Sequence, residues 1–282
     1  MNADSQRRVG VVGLGKMGRP IARHIADKGF AVTGFDLDEG AAKASASDGV
    51  ALAADLGDLL ARTDILLVAV DTERAVRTVV EAAAAAWSAE AGSVRDEKVT
   101  IILATITVTA MRELEQLGTA SGFALLDGPL CKGEQAAEDG DLLILIGGDT
   151  STYEICRPVI ECFSGDIYHL GGIGTGQAAK LVNNLILWST ISATSEGFWL
   201  AEQLGADLHV MREALLKSSG KTWALETWYR PRDMPWAAKD MGMVLEEANR
   251  VGMSLPLSGV VHEVIKTVKQ RGLPGSVRPS ES

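Results

Sequence analysis

The stretch VGVVGLGKMGRP (9–20) decides how the rest of this chain is read. VGVV has the β-branched character of a short buried strand. It runs straight into Gly13, Gly15 and Gly18, which stand in GxGxxG spacing, and a helical pattern follows. In that context each glycine has a separate task. The first makes the tight turn, the second lets backbone approach a pyrophosphate, and the third lets helix pack on strand. The helix start then offers unpaired N–H groups and the positive end of its dipole to phosphate oxygens. On this reading Gly13, Leu14, Gly15, Lys16, Met17 and Gly18 cradle a dinucleotide.

The glycine spacing alone is a weak signal, and the next strand strengthens it. AVTGFD (31–36) ends on Asp36, eighteen residues after Gly18, where a carboxylate would accept hydrogen bonds from the adenosine ribose hydroxyls. The following residues are Leu37 and Asp38, so no arginine is placed there to meet a 2′-phosphate. NAD is therefore expected over NADP.

Outward from this unit, β-rich runs alternate with helical, Ala-rich segments. Further strands are expected at DILLVAV (64–70), VTIILAT (99–105), FALLD (123–127), LLILIG (142–147) and DIYHLG (166–171), with a helix at 150–163. Strands apolar on both faces and separated by helices predict a Rossmann-type, doubly wound α/β fold with a mainly parallel sheet covered on both sides. The pattern changes at about residue 170. Residues 176–205 read as one long helix without proline, and 207–217, 236–251 and 256–271 as further helices. The expected organisation is a nucleotide-binding domain over 1–170, an all-α domain over 171–271 joined by the long helix, and a disordered tail over 272–282.

Bulk properties narrow the function. The 282 residues carry a formal net charge of −10, which argues against nucleic acid or an anionic membrane as partner. No apolar run is long enough to span a bilayer, and no signal core precedes the first strand. Three cysteines (131, 156 and 162) without a CxxC pair fit a reduced, cytoplasmic setting. The four histidines have no ligand spacing to one another or to cysteine, so no metal site is expected.

Within the helical half, GTGQAAKLVNN (174–184) sets Lys180, Asn183 and Asn184 at i, i+3 and i+4, on one helical face, ahead of an apolar run. A lysine in such surroundings has a partner or a task. Four blocks in order, GLGKMGRP (13–20), DGPLCKG (127–133), GTGQAAKLVNN (174–184) and KDMGMVLEEA (239–248), resemble the β-hydroxyacid dehydrogenases, over about residues 8–271. That family includes 3-hydroxyisobutyrate dehydrogenase, tartronate semialdehyde reductase and 6-phosphogluconate dehydrogenase. The resemblance implies an NAD-dependent oxidoreductase that interconverts a hydroxy acid and its oxo or semialdehyde form.

It also implies roles. Lys180 matches the family's catalytic lysine, and Asn184 the amide that helps hold the substrate oxygen. Lys239 and Asp240 match its KD pair, with Lys239 toward the nicotinamide end of the cleft. The 127–133 block, with Leu130, Cys131, Lys132 and Gly133, matches the loop that grips the substrate carboxylate. Thr105 stands near a Ser or Thr that faces the nicotinamide, and Val70 in a segment that flanks the cofactor. A homodimer or homotetramer is implied as well. The chemistry agrees: hydride transfer at a carbon bearing oxygen needs a proton moved at that oxygen, which a lysine can donate in reduction and accept in oxidation. An amide one turn away can orient the oxygen without competing for the proton.

The chain departs from the family where DGPLCKG replaces the usual DAPVSGG. Cys131 puts a thiol, a weaker donor, where a serine hydroxyl is usual. Lys132 replaces a glycine, and two readings stay open: it binds an anionic group of the substrate, or it points to solvent while backbone N–H groups bind. Tryptophans 223, 228 and 236, with Tyr229, are read as packing the helical domain, one or two being able to line a cleft. Two rival functions are imine reduction on the same scaffold and a non-catalytic dinucleotide-binding scaffold. Lys180 counts against both, since relatives of either kind usually lack that lysine.

Overall fold

Strand β1 (Val9–Val12) is buried along its whole length and pairs on both sides with parallel strands, Val9 standing opposite Val32 and Ile65. The computed structural model describes residues 7–88, 98–229 and 236–274. The chain divides into two compact units, Met1–Lys180 and Leu181–Ser282.

In the first unit, β1 is followed by α1 (Gly18–Asp27), β2 (Val32–Phe35), α2 (Glu39–Ser47), β3 (Ala51–Leu52), α3 (Leu56–Ala61) and β4 (Ile65–Val68). Then come α4 (Glu73–Ser88), β5 (Val99–Ile102), α5 (Val108–Ser121) and β6 (Ala124–Asp127). These strands form one parallel sheet in the order β3-β2-β1-β4-β5-β6. The central strands are apolar on both faces, and the two-residue period sorts them. Val9, Val11, Ile65, Leu67 and Ile101 enter one core with α1, while Val12, Leu66, Val68 and Ile102 enter another with α4 and α5. This is the Rossmann-type, doubly wound sheet predicted from the sequence.

At the amino ends of these strands, Asp64 collects two cations. Its carboxylate accepts from Arg8 Nε and Nη2 and from the Arg8 backbone N–H, and it takes the Lys98 ammonium at 3.2 Å. Asp64 thereby ties the residues just before β1, β4 and β5, on the edge opposite the glycine loop.

The chain then leaves the large sheet at Gly128-Pro129. A second sheet of three strands, in the order β7-β8-β9, is made by β7 (Leu130–Cys131), β8 (Leu142–Ile146) and β9 (Ser164–His169). Helices α6 (Glu134–Asp139) and α7 (Thr150–Ile160) join them. The strands read at 142–147 and 166–171 thus form, but outside the main sheet. Strand β7 runs antiparallel to β8, a pairing that a chain turning sharply at Gly128-Pro129 allows. A reciprocal pair of backbone bonds between Asp127 and Gly147, 3.0 and 2.8 Å, joins the two sheets.

Helix α8 (Thr175–Gln203) is 29 residues long and runs from the first unit into the second, over nearly the span its sequence predicts. The second unit adds α9 (Leu208–Leu215), α10 (Trp223–Glu226), α11 (Ala237–Arg250) and α12 (Pro256–Arg271). Its core gathers Trp188 and Ile191 of α8 with Ala237 and Met241 of α11 and Val261, Ile265 and Val268 of α12. Trp228 is fully buried edge-on to Phe198 and donates to the Pro274 carbonyl at 2.8 Å. Trp223 and Trp236, by contrast, are 51% and 40% exposed, so of the three tryptophans expected to pack this domain only Trp228 is enclosed. Of the tail, residues 275–282 lie outside the described residues. No helix among the described residues is long and apolar enough to cross a membrane.

Candidate active site

In the parallel sheet every strand points the same way, so the loops leaving the strands' carboxyl ends share one edge. Gly13 follows β1, Asp36 follows β2, Val70 follows β4, Thr105 follows β5 and the 127–133 loop follows β6. Residues far apart in sequence are brought to that edge by topology alone.

The glycine loop has the form its sequence implies. A Cβ on Gly18 would run into the Gly13 carbonyl oxygen, so helix and strand can meet only over a glycine. Gly15 differs: no protein atom lies within 4 Å of where its Cβ would stand. Nothing in the protein demands glycine there, whereas a pyrophosphate lying on the loop at the start of α1 does. The residues present therefore fit a dinucleotide. Met17 packs against the core beneath the loop, and the Lys16 ammonium lies 3.1 Å from Glu134 at the start of α6.

Asp36 binds the loop as well as ending β2. Its Oδ2 accepts the Leu14 N–H at 2.6 Å and its Oδ1 the Asp38 N–H at 2.8 Å. A carboxylate oxygen has two lone pairs, so both oxygens keep capacity for a ribose hydroxyl. Leu37 is almost fully exposed, and Arg19, on the first turn of α1, is engaged with Asp48 at 2.6 Å.

Two residues that the sequence reading did not single out fix the start of α8. Asp127 is fully buried; Oδ1 accepts the Gly174 N–H and Oδ2 the Gln177 N–H, both at 2.7 Å. Burial pushes this carboxyl above its usual range, and the N–H groups of Gly174, Gln177 and Gly176 pull it back. The buried Gln177 side chain accepts from the Ile106 N–H at 3.1 Å and donates to the Ala104 carbonyl at 2.9 Å. It thereby straps the first turn of α8 to the loop that carries Thr105. The available signal was the acid closing the apolar run FALLD, inside one of the family blocks. Gln177 lies inside another block, GTGQAAKLVNN, but its side-chain partners are more than seventy residues away.

One turn after Gln177 comes Lys180, half-buried. Its ammonium donates to the Leu130 carbonyl at 2.6 Å and lies 3.7 Å from Cys131 Sγ. The structure therefore brings together Lys180 and the 130–133 loop, predicted from separate blocks. Lys132 is exposed, and its ammonium lies between Asp141, at 3.0 Å, and Asp166, at 2.9 Å. Gly133 adopts a positive φ and begins α6.

In the second unit, Asn184 stands a turn beyond Lys180 along α8. It is 2% exposed; Oδ1 accepts from Asn183 at 3.0 Å, and Nδ2 is buried without a hydrogen-bond partner. An orphaned buried donor is costly unless something else accepts from it. Asp240 is buried and accepts the Trp188 indole N–H at 3.2 Å, which fixes α11 on α8 beside Lys239.

Comparison with known proteins identifies the family and agrees with the fold. A family model described as the NAD binding domain of 6-phosphogluconate dehydrogenase matches residues 8–171. A second, described as NAD-binding of NADP-dependent 3-hydroxyisobutyrate dehydrogenase, matches residues 174–276. The chain is 31% identical over 265 residues to a probable 3-hydroxyisobutyrate dehydrogenase of Mycobacterium tuberculosis, covering 88% of each. It is 27% identical over 277 residues to the 2-(hydroxymethyl)glutarate dehydrogenase of Eubacterium barkeri, covering 94% of this chain and 90% of the relative. The solved structure of M. tuberculosis 3-hydroxyisobutyrate dehydrogenase with L-serine is similar at a TM-score of 0.84 and 28% identity, over 95% of this chain and 96% of that one. With both halves matched and the fold shared, the chain belongs to the β-hydroxyacid dehydrogenase family of NAD(P)-dependent hydroxyacid dehydrogenases.

Proposed function

We propose that this protein interconverts a small anionic β-hydroxy acid and its oxo or semialdehyde form with NAD, Lys180 moving the proton at the substrate oxygen. The observation that carries the reading is the Lys180 ammonium, half-buried and held 2.6 Å from the Leu130 carbonyl beside Cys131. It is oriented by a main-chain acceptor and has no carboxylate partner in its described hydrogen bonds, so the proton is held without being locked in an ion pair. Bound nicotinamide supplies the hydride acceptor or donor. In reduction the lysine gives its proton to the forming alkoxide, and in oxidation the amine takes it back. Asn184, whose Nδ2 is buried without a partner, is the amide to which the resemblance assigns the substrate oxygen. Backbone N–H groups of the 130–133 loop and the Cys131 thiol serve the carboxylate, and the resemblance assigns Lys239 a role toward the nicotinamide.

NAD is favoured by the Asp36 carboxylate, by the absence of an arginine after it, and by the pairing of Arg19 with Asp48. Three cysteines without disulfides fit a reducing cytoplasm. Apolar side chains exposed on α8 and α12 fit a homo-oligomer. The name of the E. barkeri relative and the L-serine of the tuberculosis structure point to C3-hydroxylated acids as the first substrates to try.

The test is reduction of NAD and NADP by the purified protein against a panel of small aliphatic, phosphorylated, sulfonated and aryl-substituted hydroxy acids. Lys180→Ala is expected to lower kcat by about 10²–10⁴-fold while leaving NADH binding, followed by fluorescence, intact. A variant that keeps its rate removes Lys180 from the chemistry, and a wild type that binds NADH but turns over no acid overturns the reading.

A further inference from the structure

Lys132 is the only non-glycine residue with positive φ among the described residues, at +79°. A side chain crowds the backbone in this conformation, so a lysine here is strained relative to the glycine that the family usually places in the loop. What the side chain does in return is visible. The ammonium is bracketed by Asp141, just before β8, and Asp166, on β9, at 3.0 and 2.9 Å. These carboxylates hold it above the ordinary lysine range, Asp166 contributing most. Two acids around one cation leave no net positive charge for a substrate anion, and Lys132 is the only cation of the 127–133 loop.

The position of the bracket matters. Strand β7 is two residues long: Leu130 stands opposite Ile144 and Cys131 opposite Leu143, and the Leu145 N–H donates to the Pro129 carbonyl at 3.2 Å at the strand's start, not at its end. So short a pairing fixes its own end poorly. Lys132 directly follows it and reaches along the sheet edge to both other strands. The carbonyl that receives the Lys180 ammonium belongs to Leu130, two residues before the bracket. We propose that Lys132 is a positioning residue: pinned between Asp141 and Asp166, it fixes the end of β7 so that the Leu130 carbonyl stays under the Lys180 ammonium. The kinetic part rests on the function proposed above, while the placement of Lys180 does not.

The full-length chain is tested as wild type, Lys132→Met, Lys132→Arg and the double variant Asp141→Asn/Asp166→Asn. One readout is kcat and KM for the best acid at saturating NAD. The other needs no substrate: the rate at which formaldehyde and cyanoborohydride methylate Lys180, followed by peptide mass spectrometry. Lys132→Met and the double variant are expected to lower kcat about tenfold, to change KM by less than about twofold, and to methylate Lys180 several-fold faster. Lys132→Arg, which keeps the charge, is expected to restore most of both. If Lys132 instead binds the substrate, KM rises in Lys132→Met, falls in the double variant where the ammonium is released, and Lys180 methylates at the wild-type rate; that result overturns the proposal. A lower melting temperature with kcat and Lys180 methylation unchanged overturns it too, leaving Lys132 a stabilising residue only. Should the wild type turn over no acid, the proposed function fails while the methylation contrast still decides the pin.

Discussion

The Asp127 carboxylate accepts the backbone N–H of Gln177 at 2.7 Å, joining the end of the last parallel strand to the first turn of the helix that carries Lys180. The same carboxylate takes the Gly174 N–H on its other oxygen. Asp127→Asn keeps one oxygen acceptor and turns an amide N–H₂ toward a donor. It also removes a buried charge, which offsets part of the loss. The net cost is expected to be about 1–3 kcal/mol of stability, and kcat is expected to fall with little change in NADH affinity, because the helix start moves relative to the 130–133 loop. Urea denaturation and steady-state kinetics check this; an Asn variant as stable and as active as the wild type would show that the carboxylate does not set the helix.

Asp36 has two duties, and its replacement should report both. With Asp36→Ala, the Leu14 and Asp38 N–H groups lose their acceptor and any ribose hydroxyl loses its own. The kcat/KM for NAD is expected to fall by about tenfold or more. That for NADP should fall less or rise, since the repulsion of a 2′-phosphate is gone. The telling quantity is the ratio of the two. If the ratio is unchanged, cofactor choice is not made at this residue.

Legibility in the sequence followed the range of the interactions. The glycine loop was readable because strand, turn and helix are contiguous and each glycine answers a local need. The parallel strands and α8 were readable from apolar runs longer than a turn. Strand β7 was not, since two residues carry no periodicity and its pairing is decided by β8. Lys132 could not be settled because its partners stand at positions 141 and 166, and neither aspartate lies in a motif. Gln177 and Asp127 are illegible for the same reason: a polar side chain shows its use only when its tertiary partners are in place.

Stability should depend on pH through Asp64. Burial raises its carboxyl, but bonds from the Arg8 side chain and backbone and from Lys98 outweigh this and hold it well below the usual carboxylate range. A depressed folded value means that the unfolded chain takes up the proton first. The contribution is therefore complete above the unfolded carboxyl value of about 4 and is lost as pH falls below it. Asp64→Asn is expected to cost about 2 kcal/mol at pH 7. Its difference from the wild type should hold from pH 6 to about pH 4.5 and narrow as unfolding is repeated from about pH 4 down to about pH 2. A difference that stays constant over that range would mean that the ion pair contributes nothing beyond packing.

Oligomerisation is testable at α8 and the turn just after it, where Leu204 lies. Val182 and Ile186 are 56% and 55% exposed, and Leu200 and Leu204 61% and 75%, in company with Leu257 and Val260 of α12 at 64% and 61%. So many large apolar side chains left in water on one helical unit favour a covering surface, and a second copy of the chain is the simplest one. Burying a leucine is worth about 1.5–3 kcal/mol, so Leu200→Glu with Leu204→Glu should weaken association by at least about 100-fold in Kd. Light scattering after size exclusion, at micromolar protein, is expected to give a dimer or tetramer for the wild type and a smaller species for the variant, with melting temperature checked to exclude unfolding. A wild type that elutes as a monomer, or a variant of unchanged mass, would mean that these side chains face solvent or another partner.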